Sequence, residues 1–287
     1  MRAETFVPGH ISCIFRPVRG SDFRETGSLG LGIRLDLGCR ASAAPSDGDL
    51  RISINGETCE APITRSALEF MGVREGFDIS LIHELPIEQG FATSASGTYA
   101  ASLCVAELTG KDPGLAAEAS HYAECTCGGG LGDLLAICST YGVPIREAPG
   151  MPGTHGRTVD SGLSLDKLSL IVFEDPLNTG SVLSDESEVA RIIRAGDDSL
   201  RAFRKDPTVD RLFEESNRFS EEVGLQSPEV TDAIGAIRSL GYHAGMSMLG
   251  NSVYSDAPVQ NVRDLFPNAR IFESASYGRP VEVIRKE

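Results

Sequence analysis

Between Pro86 and Thr98 the chain reads Pro-Ile-Glu-Gln-Gly-Phe-Ala-Thr-Ser-Ala-Ser-Gly-Thr, a run of small and hydroxyl-bearing residues between an alternating apolar segment and one rich in Ala, Leu and Val. Such a run can cradle an anion. A helix N-terminus offers unpaired N–H groups and the positive end of a dipole, and small residues let a phosphate approach the backbone. The same residues also suit a capped helix start whose side chains only pack, and the loop alone does not separate the two readings. A Walker-type loop is excluded because no G-x-x-x-x-G-K-[ST] occurs and Lys111, Lys167, Lys205 and Lys286 all lie outside glycine-rich loops. Cys125-Thr126-Cys127 is the one close cysteine pair. Without a second Cys pair or a His pair it makes a poor zinc site, and the seven cysteines read as reduced core residues.

The elements that must position this loop follow from periodicity. Strand signals fill the first 60 residues, at Phe6-Val7, Ile11 to Phe15, and Leu31, Ile33, Leu35 and Leu37 at period two. Asn55-Gly56 marks a hairpin, and Phe77 to His83 is an alternating strand running straight into the loop. Ser94 to Leu108 then reads as a buried helix. Leu115 to Cys127 reads as a second, opened by Asp112-Pro113-Gly114 and stopped by Gly128-Gly129-Gly130. A short helix over Leu131 to Ser139 and a strand over Tyr141 to Arg146 follow, and Pro149 to Gly162 is the best boundary candidate. Beyond it come a strand at Leu168 to Phe173, helices near 183–195, 209–223 and 228–240, and four closing strand segments at 243–249, 252–254, 269–273 and 281–284. Strands at both ends with helices between predict an α+β fold with an antiparallel beginning, not a doubly wound parallel sheet.

Composition narrows the function classes. The chain has 287 residues, 41% of them hydrophobic, long enough for one large domain or two closely packed ones. A formal charge of -15 and a pI near 4.8 exclude a basic footprint, so neither nucleic acid nor an anionic membrane is an expected partner. The N-terminus lacks an apolar signal region and no run reaches the length of a membrane span, so the expected location is cytoplasmic.

Three glycine-bearing segments stand far apart: Val7-Pro8-Gly9-His10-Ile11-Ser12, Gly90 to Gly97, and Gly245 to Ser252. Their order and local pattern resemble the three signature motifs of the GHMP kinases, the superfamily of galacto-, homoserine, mevalonate and phosphomevalonate kinases. Within it the chain is most similar to the archaeal pantoate kinases. Pro8-Gly9-His10-Ile11, Gly27-Ser28-Leu29-Gly30-Leu31-Gly32, the block from Glu124 to Gly130-Leu131-Gly132-Asp133, and Met246-Ser247-Met248-Leu249-Gly250-Asn251 carry that likeness over residues 5 to 255.

The resemblance implies a two-lobed GHMP-kinase-like α+β fold, with a ribosomal-protein-like N-terminal lobe over 1–162 and a ferredoxin-like C-terminal lobe over 163–287. It implies ATP and Mg²⁺ as cofactors and phosphorylation of the primary hydroxyl of (R)-pantoate for coenzyme A biosynthesis. On this template Gly90, Phe91, Ala92, Thr93, Ser94, Ala95 and Ser96 hold the nucleotide phosphates, and Ser94 and Glu124 are the Mg²⁺ ligands, which suits an ion that prefers hard oxygen donors. Asp133 becomes the catalytic carboxylate, well suited to accept a hydroxyl proton, and reads equally as the cap of the helix continuing through Leu134. Arg146 and Thr179 become substrate contacts. A guanidinium grips a carboxylate with two bonds, although a strand-end arginine is equally often solvated and Thr179 equally suits a helix cap. His121, three residues before Glu124 on one helix face, becomes a third substrate contact or merely orients Glu124, although a lone helix histidine is more often a packed, satisfied residue; His10 carries a weaker signal still. A homodimer is implied as well.

The pattern departs from the superfamily at Ala92 and Thr93, which replace a glycine and a small or apolar residue, and at Leu29, where related sequences are often basic. The added methyls crowd a backbone that must approach triphosphate. Another small hydroxy acid or alcohol as acceptor, such as mevalonate or homoserine, and a catalytically silent nucleotide-binding protein remain the alternatives.

Overall fold

The computed structural model describes residues 1–174 and 186–286, and two sheets organise them. The first begins with β1 (Arg2–Val18), one 17-residue strand where the sequence suggested two short ones. It runs through Pro8-Gly9 because its register against β2 (Gly27–Asp49) shifts there, at a bulge that tolerates the proline's missing N–H. A second shift, between Ser12 and Ile14, bends the strand beside the site described below.

β3 (Arg51–Ile54) and β4 (Glu57–Thr58) close around Asn55 and Gly56, whose φ angles of 51° and 89° are those a tight hairpin needs. The antiparallel beginning expected of the first 60 residues is present, β2 pairing with β1 and β4 with β3 in that sense, and a parallel step comes next. After α1 (Pro62–Phe70), β5 (Glu75–His83) returns parallel to β3 and antiparallel to β2. α1 was not expected from sequence; nine residues, three of them buried (Thr64, Ala67, Leu68), are too short a segment to stand out.

α2 (Thr93–Thr109) starts inside the hydroxyl-rich run, so Thr93 to Ser96 form its first turn rather than a loop. Its small residues Ala95, Gly97, Ala100 and Ala101 are buried, allowing both β2 and α3 (Pro113–Thr126) to pack against it. Asp112 caps α3 as expected, its Oδ1 accepting the Gly114 N–H at 2.8 Å. α4 (Asp133–Ile137) and β6 (Pro144–Ala148) follow. The suspected boundary then contributes β7 (Arg157–Asp160), paired with β6.

β8 (Leu168–Val172), wholly buried, is in the centre of the second sheet. α5 (Glu186–Lys205), α6 (Val209–Glu222) and α7 (Pro228–Ser239) come next. α6 and α7 fall where periodicity put them, whereas the expected start of α5 near 183 lies outside the described residues. β9 (Ala244–Met246), β10 (Ser252–Ser255), α8 (Val259–Leu265) and β11 (Arg270–Ser274) complete the sheet in the order β11-β8-β10-β9. The seven-residue α8 was also not expected. β12 (Val283–Lys286) crosses back to pair with β1.

The expected α+β fold is therefore present. One core lies where the centre of β1 and β2 meets the second sheet and α5 to α7, with Ile11, Ile14, Leu170, Phe203, Phe213 and Phe219 buried together; a second packs α1 to α3 on the other part of the large sheet. The cysteines are all free among the described residues. Cys13, Cys39 and Cys104 are core residues, but Cys127 is exposed, because it caps the end of α3.

Candidate active site

Strand alternation builds the floor of the site. His10 and Ser12 lie two apart on β1, and Ser28, Gly30 and Gly32 lie two apart on the facing β2, so each set points to one side. Arg146 is opposite Gly30 in the middle of β6, not at a strand end, and is fully buried rather than solvated. A Cβ on Gly30 would sit 2.0 Å from Arg146 Nη2, and one on Gly32 would sit 2.2 Å from His10 Nε2. The glycines thus clear the space that the two side chains fill.

Asp133 opens α4 but does not cap it; Gly132 is the capping residue and no side-chain cap is made. Its carboxylate instead faces β1. His10 Nδ1 lies 2.8 Å from Asp133 Oδ1, and Ser12 Oγ donates to the same oxygen at 3.4 Å. Oδ2 points towards Gly130, where a Cβ would come within 2.1 Å of it. Burial pushes the pKa of Asp133 up, but the hydrogen bonds from His10 and Ser12 and the nearby Arg146 charge outweigh it and hold the carboxyl below its ordinary range. Burial likewise lowers the pKa of His10, against the pull of Asp133, with Arg146 and Arg34 adding to the fall.

Glu124, on α3, is buried and not a solvated helix residue. Its Oε2 accepts the Gly130 N–H at 2.8 Å and the Ser94 hydroxyl at 3.2 Å, while Oε1 is buried with no partner. Burial pushes its pKa up to about 7; the two hydrogen bonds oppose that rise and the charge of Asp133 adds to it. The Gly128-Gly129-Gly130 run that ends α3 therefore does more than stop a helix. It wraps backbone between the two carboxylates, where Cβ atoms at 129 and 130 would collide with Glu124 and Asp133.

The phosphate-loop candidate enters from the other side. Ala92 has a φ of 54° immediately before α2, a left-handed conformation that an alanine adopts at a cost. The loop is clamped from behind by the C-terminal motif. Asn251 N–H donates to Gln89 Oε1 at 3.0 Å, Ser252 Oγ donates to the Gln89 carbonyl at 2.7 Å, and Gly250 lies so close that a Cβ would be 2.2 Å from that carbonyl. On its other flank the Phe91 carbonyl accepts the His10 N–H at 3.1 Å.

These pieces enclose one cavity of about 570 Å³, lined among others by Ser12, Ser28, Ala92, Ser94, Gly130 and Asp133. A neighbouring cavity of about 700 Å³ shares Gly90, Ala92 and Ser94 with it and is bounded by Ile54, Ile63, Leu81 and Phe91. Ser94 and Asp133 thus line one space, while Glu124 and Arg146 are buried behind its wall, Glu124 bonded to Ser94 and Arg146 to His10 and Ser12. His121 is not turned to that space: its Nε2 donates to the carbonyls of Phe23 (2.8 Å) and Thr26 (3.0 Å), tying down the β1–β2 connection. Thr179 lies outside the described residues. Sequence reasoning underrated His10 and passed over Ser12 and Ser28; the signal that could have found them is the period-two spacing of Ser28-Gly30-Gly32 opposite His10 and Ser12.

A strand, a small-residue turn and a helix N-terminus beside a carboxylate, on this α+β fold, fit a small-molecule kinase of the GHMP type. The fold matches a solved mevalonate kinase over 97% of this chain and all of that one, with a TM-score of 0.65 at 14% identity. No family model matches the sequence. Among curated proteins it is 30% identical to the pantoate kinase of Methanospirillum hungatei JF-1 over 264 residues, 88% of this chain and 87% of that one. It is 29% identical to the pantoate kinase of Thermococcus kodakarensis over 269 residues, 89% and 87% of the two chains. A solved phosphotransferase related to the CoA biosynthesis pathway superposes over 99% of both chains, with a TM-score of 0.88 and 25% identity. The chain belongs to the pantoate kinase family.

Proposed function

We propose that this chain transfers the γ-phosphoryl group of ATP to the primary hydroxyl of (R)-pantoate, giving (R)-4-phosphopantoate for coenzyme A biosynthesis. One observation carries the chemistry: a single cavity has the N-terminal turn of α2 on one wall and Asp133 on another. Family membership carries the choice of acceptor.

The roles follow from the geometry. Backbone N–H groups from Gly90 to Ala95 and the positive end of α2 hold the phosphates, the Ser96 N–H being already given to the Ala92 carbonyl, and the apolar cavity beyond Phe91 takes the base. Ser94 and Glu124 suit Mg²⁺, since both offer hard oxygens and Glu124 Oε1 is a buried acceptor in want of a partner. When bound, the cation supplies neutralisation of phosphate charge. Asp133 Oδ2 accepts the hydroxyl proton as that oxygen attacks the γ-phosphorus and the bond to ADP breaks. Arg146 is the cation for the acid: its Nε has no partner and is buried directly behind Gly132, which itself lines the cavity. Thr179 is a second substrate contact, and His121 shapes the substrate wall through the segment it ties down.

We assign 1–162 and 163–287 as the two lobes, with β12 returning to the first. Family resemblance supports a homodimer working in the cytoplasm, which light scattering and cell fractionation check. The function is tested by ADP release with Mg²⁺, ATP and either (R)-pantoate, pantothenate, mevalonate, homoserine or no acceptor. Selective turnover of pantoate is expected; preference for any other acceptor refutes the assignment.

A further inference from the structure

We infer that His10 is a positioning residue for Asp133, and that Arg146 fixes the imidazole tautomer that lets it act. The inference rests on Asp133 being the base of the reaction proposed above. Its ground is a chain of contacts, anchored on the fully buried His10 and Arg146 and ending on the partly exposed Asp133, that the phosphate-binding roles do not use.

Arg146 Nη1 lies 3.4 Å from His10 Nε2. A guanidinium carries only donors, so the nitrogen facing it must present a lone pair. The ring proton then sits on Nδ1, which lies 2.8 Å from Asp133 Oδ1. Direction therefore runs one way along the chain, from Arg146 to His10 to Asp133. A second branch agrees with it: Arg146 Nη2 donates to Ser12 Oγ at 3.4 Å, and that hydroxyl donates onward to Oδ1 at the same distance. Both hydrogen bonds that described residues make to the carboxylate thus fall on Oδ1, and Oδ2 is left to face the cavity beside Gly130. A carboxylate free to rotate would offer either oxygen in many orientations; here one oxygen is held and the other presented at a fixed angle, which is what proton acceptance in a transition state requires.

The surroundings are built for this arrangement. His10 and Arg146 are both fully buried, and Gly32 and Gly30 provide the clearance for them. Burial keeps the imidazole neutral, as the relay demands, since a doubly protonated ring would have no lone pair for Arg146 to meet. The His10 N–H also donates to the Phe91 carbonyl, so the strand that carries the relay is tied to the phosphate loop and the base is held in register with the phosphate cradle.

Two substitutions separate this role from simple space filling. Asparagine places an amide N–H near the position of Nδ1, whereas phenylalanine keeps the ring volume and has no donor. His10→Asn should keep kcat within about tenfold of the parent, and His10→Phe should lower it about 100-fold, both with KM for ATP within about threefold. The reverse ranking, with phenylalanine tolerated and asparagine not, overturns the inference. If the parent prefers an acceptor other than pantoate, the functional reading fails and the same ranking is read on that acceptor. Nitrogen-15 NMR of the histidines in the unmodified full chain judges the relay without any turnover: His10 is expected as the neutral Nδ1–H tautomer, and a proton found on Nε2 overturns it.

Discussion

Replacing Glu124 with glutamine should make the ligand-free protein more stable at neutral and alkaline pH while abolishing its activity. Glu124 is 1% exposed, and its pKa is raised from 4.5 to about 7 by burial. Below about pH 4.5 the carboxyl is protonated in both folded and unfolded chains, and it contributes nothing. As pH rises towards 7 the unfolded chain releases the proton while the folded one retains it, so stability falls across this window. Above it the whole difference is felt. About 2.5 pKa units at ~1.36 kcal/mol each amount to about 3 kcal/mol against the native state. Glutamine keeps the shape and an acceptor for the Gly130 N–H and removes the charge. It also leaves one buried amide group poorly paired, which trims the gain by about 1 kcal/mol. The expected outcome is a variant about 2 kcal/mol more stable than the parent at about pH 8, or roughly 4 °C in Tm, and about 1 kcal/mol less stable below about pH 4.5, where only the poorly paired amide counts. Urea and thermal unfolding of both proteins across that range in chelator check it. If Glu124 holds Mg²⁺ as proposed, adding the ion at about pH 8 should raise the parent's stability and narrow the gap. A gap that is absent at pH 8, or that widens towards acid, refutes the account of a buried, destabilised ligand.

Asp133→Asn should reduce turnover about a thousandfold with little change in ATP affinity by calorimetry, since it removes a proton acceptor and no phosphate contact. Ala92→Gly should stabilise the fold by up to about 1 kcal/mol and tighten ATP binding, because φ at this position is 54°; a loss of stability would contradict the strain assigned to the alanine. Gly250→Ala should cost about 2 kcal/mol or more and raise the KM for ATP, because its Cβ would meet the Gln89 carbonyl at 2.2 Å, and neither backbone can yield without moving the phosphate loop. Unchanged ATP kinetics in that variant would show that the C-terminal motif does not brace the loop.

Much was written in local sequence. Alternation fixed the strands of residues 11–37 and 77–83, and Asp112-Pro113 and Asn55-Gly56 placed a helix start and a hairpin, because capping and turn chemistry act over only a few residues. The hydroxyl-rich run, with the Glu124 to Asp133 block and the Met246 to Asn251 motif, pointed to phosphate transfer before any coordinates. What the chain could not reveal alone was which oxygens and nitrogens face one another. The small helices α1 and α8 are too short to be read from sequence, and the parallel pairing of β3 with β5 depends on how a crossover packs. Only the tertiary structure brings β1, β2, β6 and α4 together. It buries Arg146, turns Asp133 from a possible cap into a held carboxylate, gives His10 a partner 123 residues away, and directs His121 to the backbone of the β1–β2 connection. Periodicity reports which side of an element faces the core. It carries no information on which buried polar groups will satisfy one another there, because that is settled by distances between segments far apart in sequence.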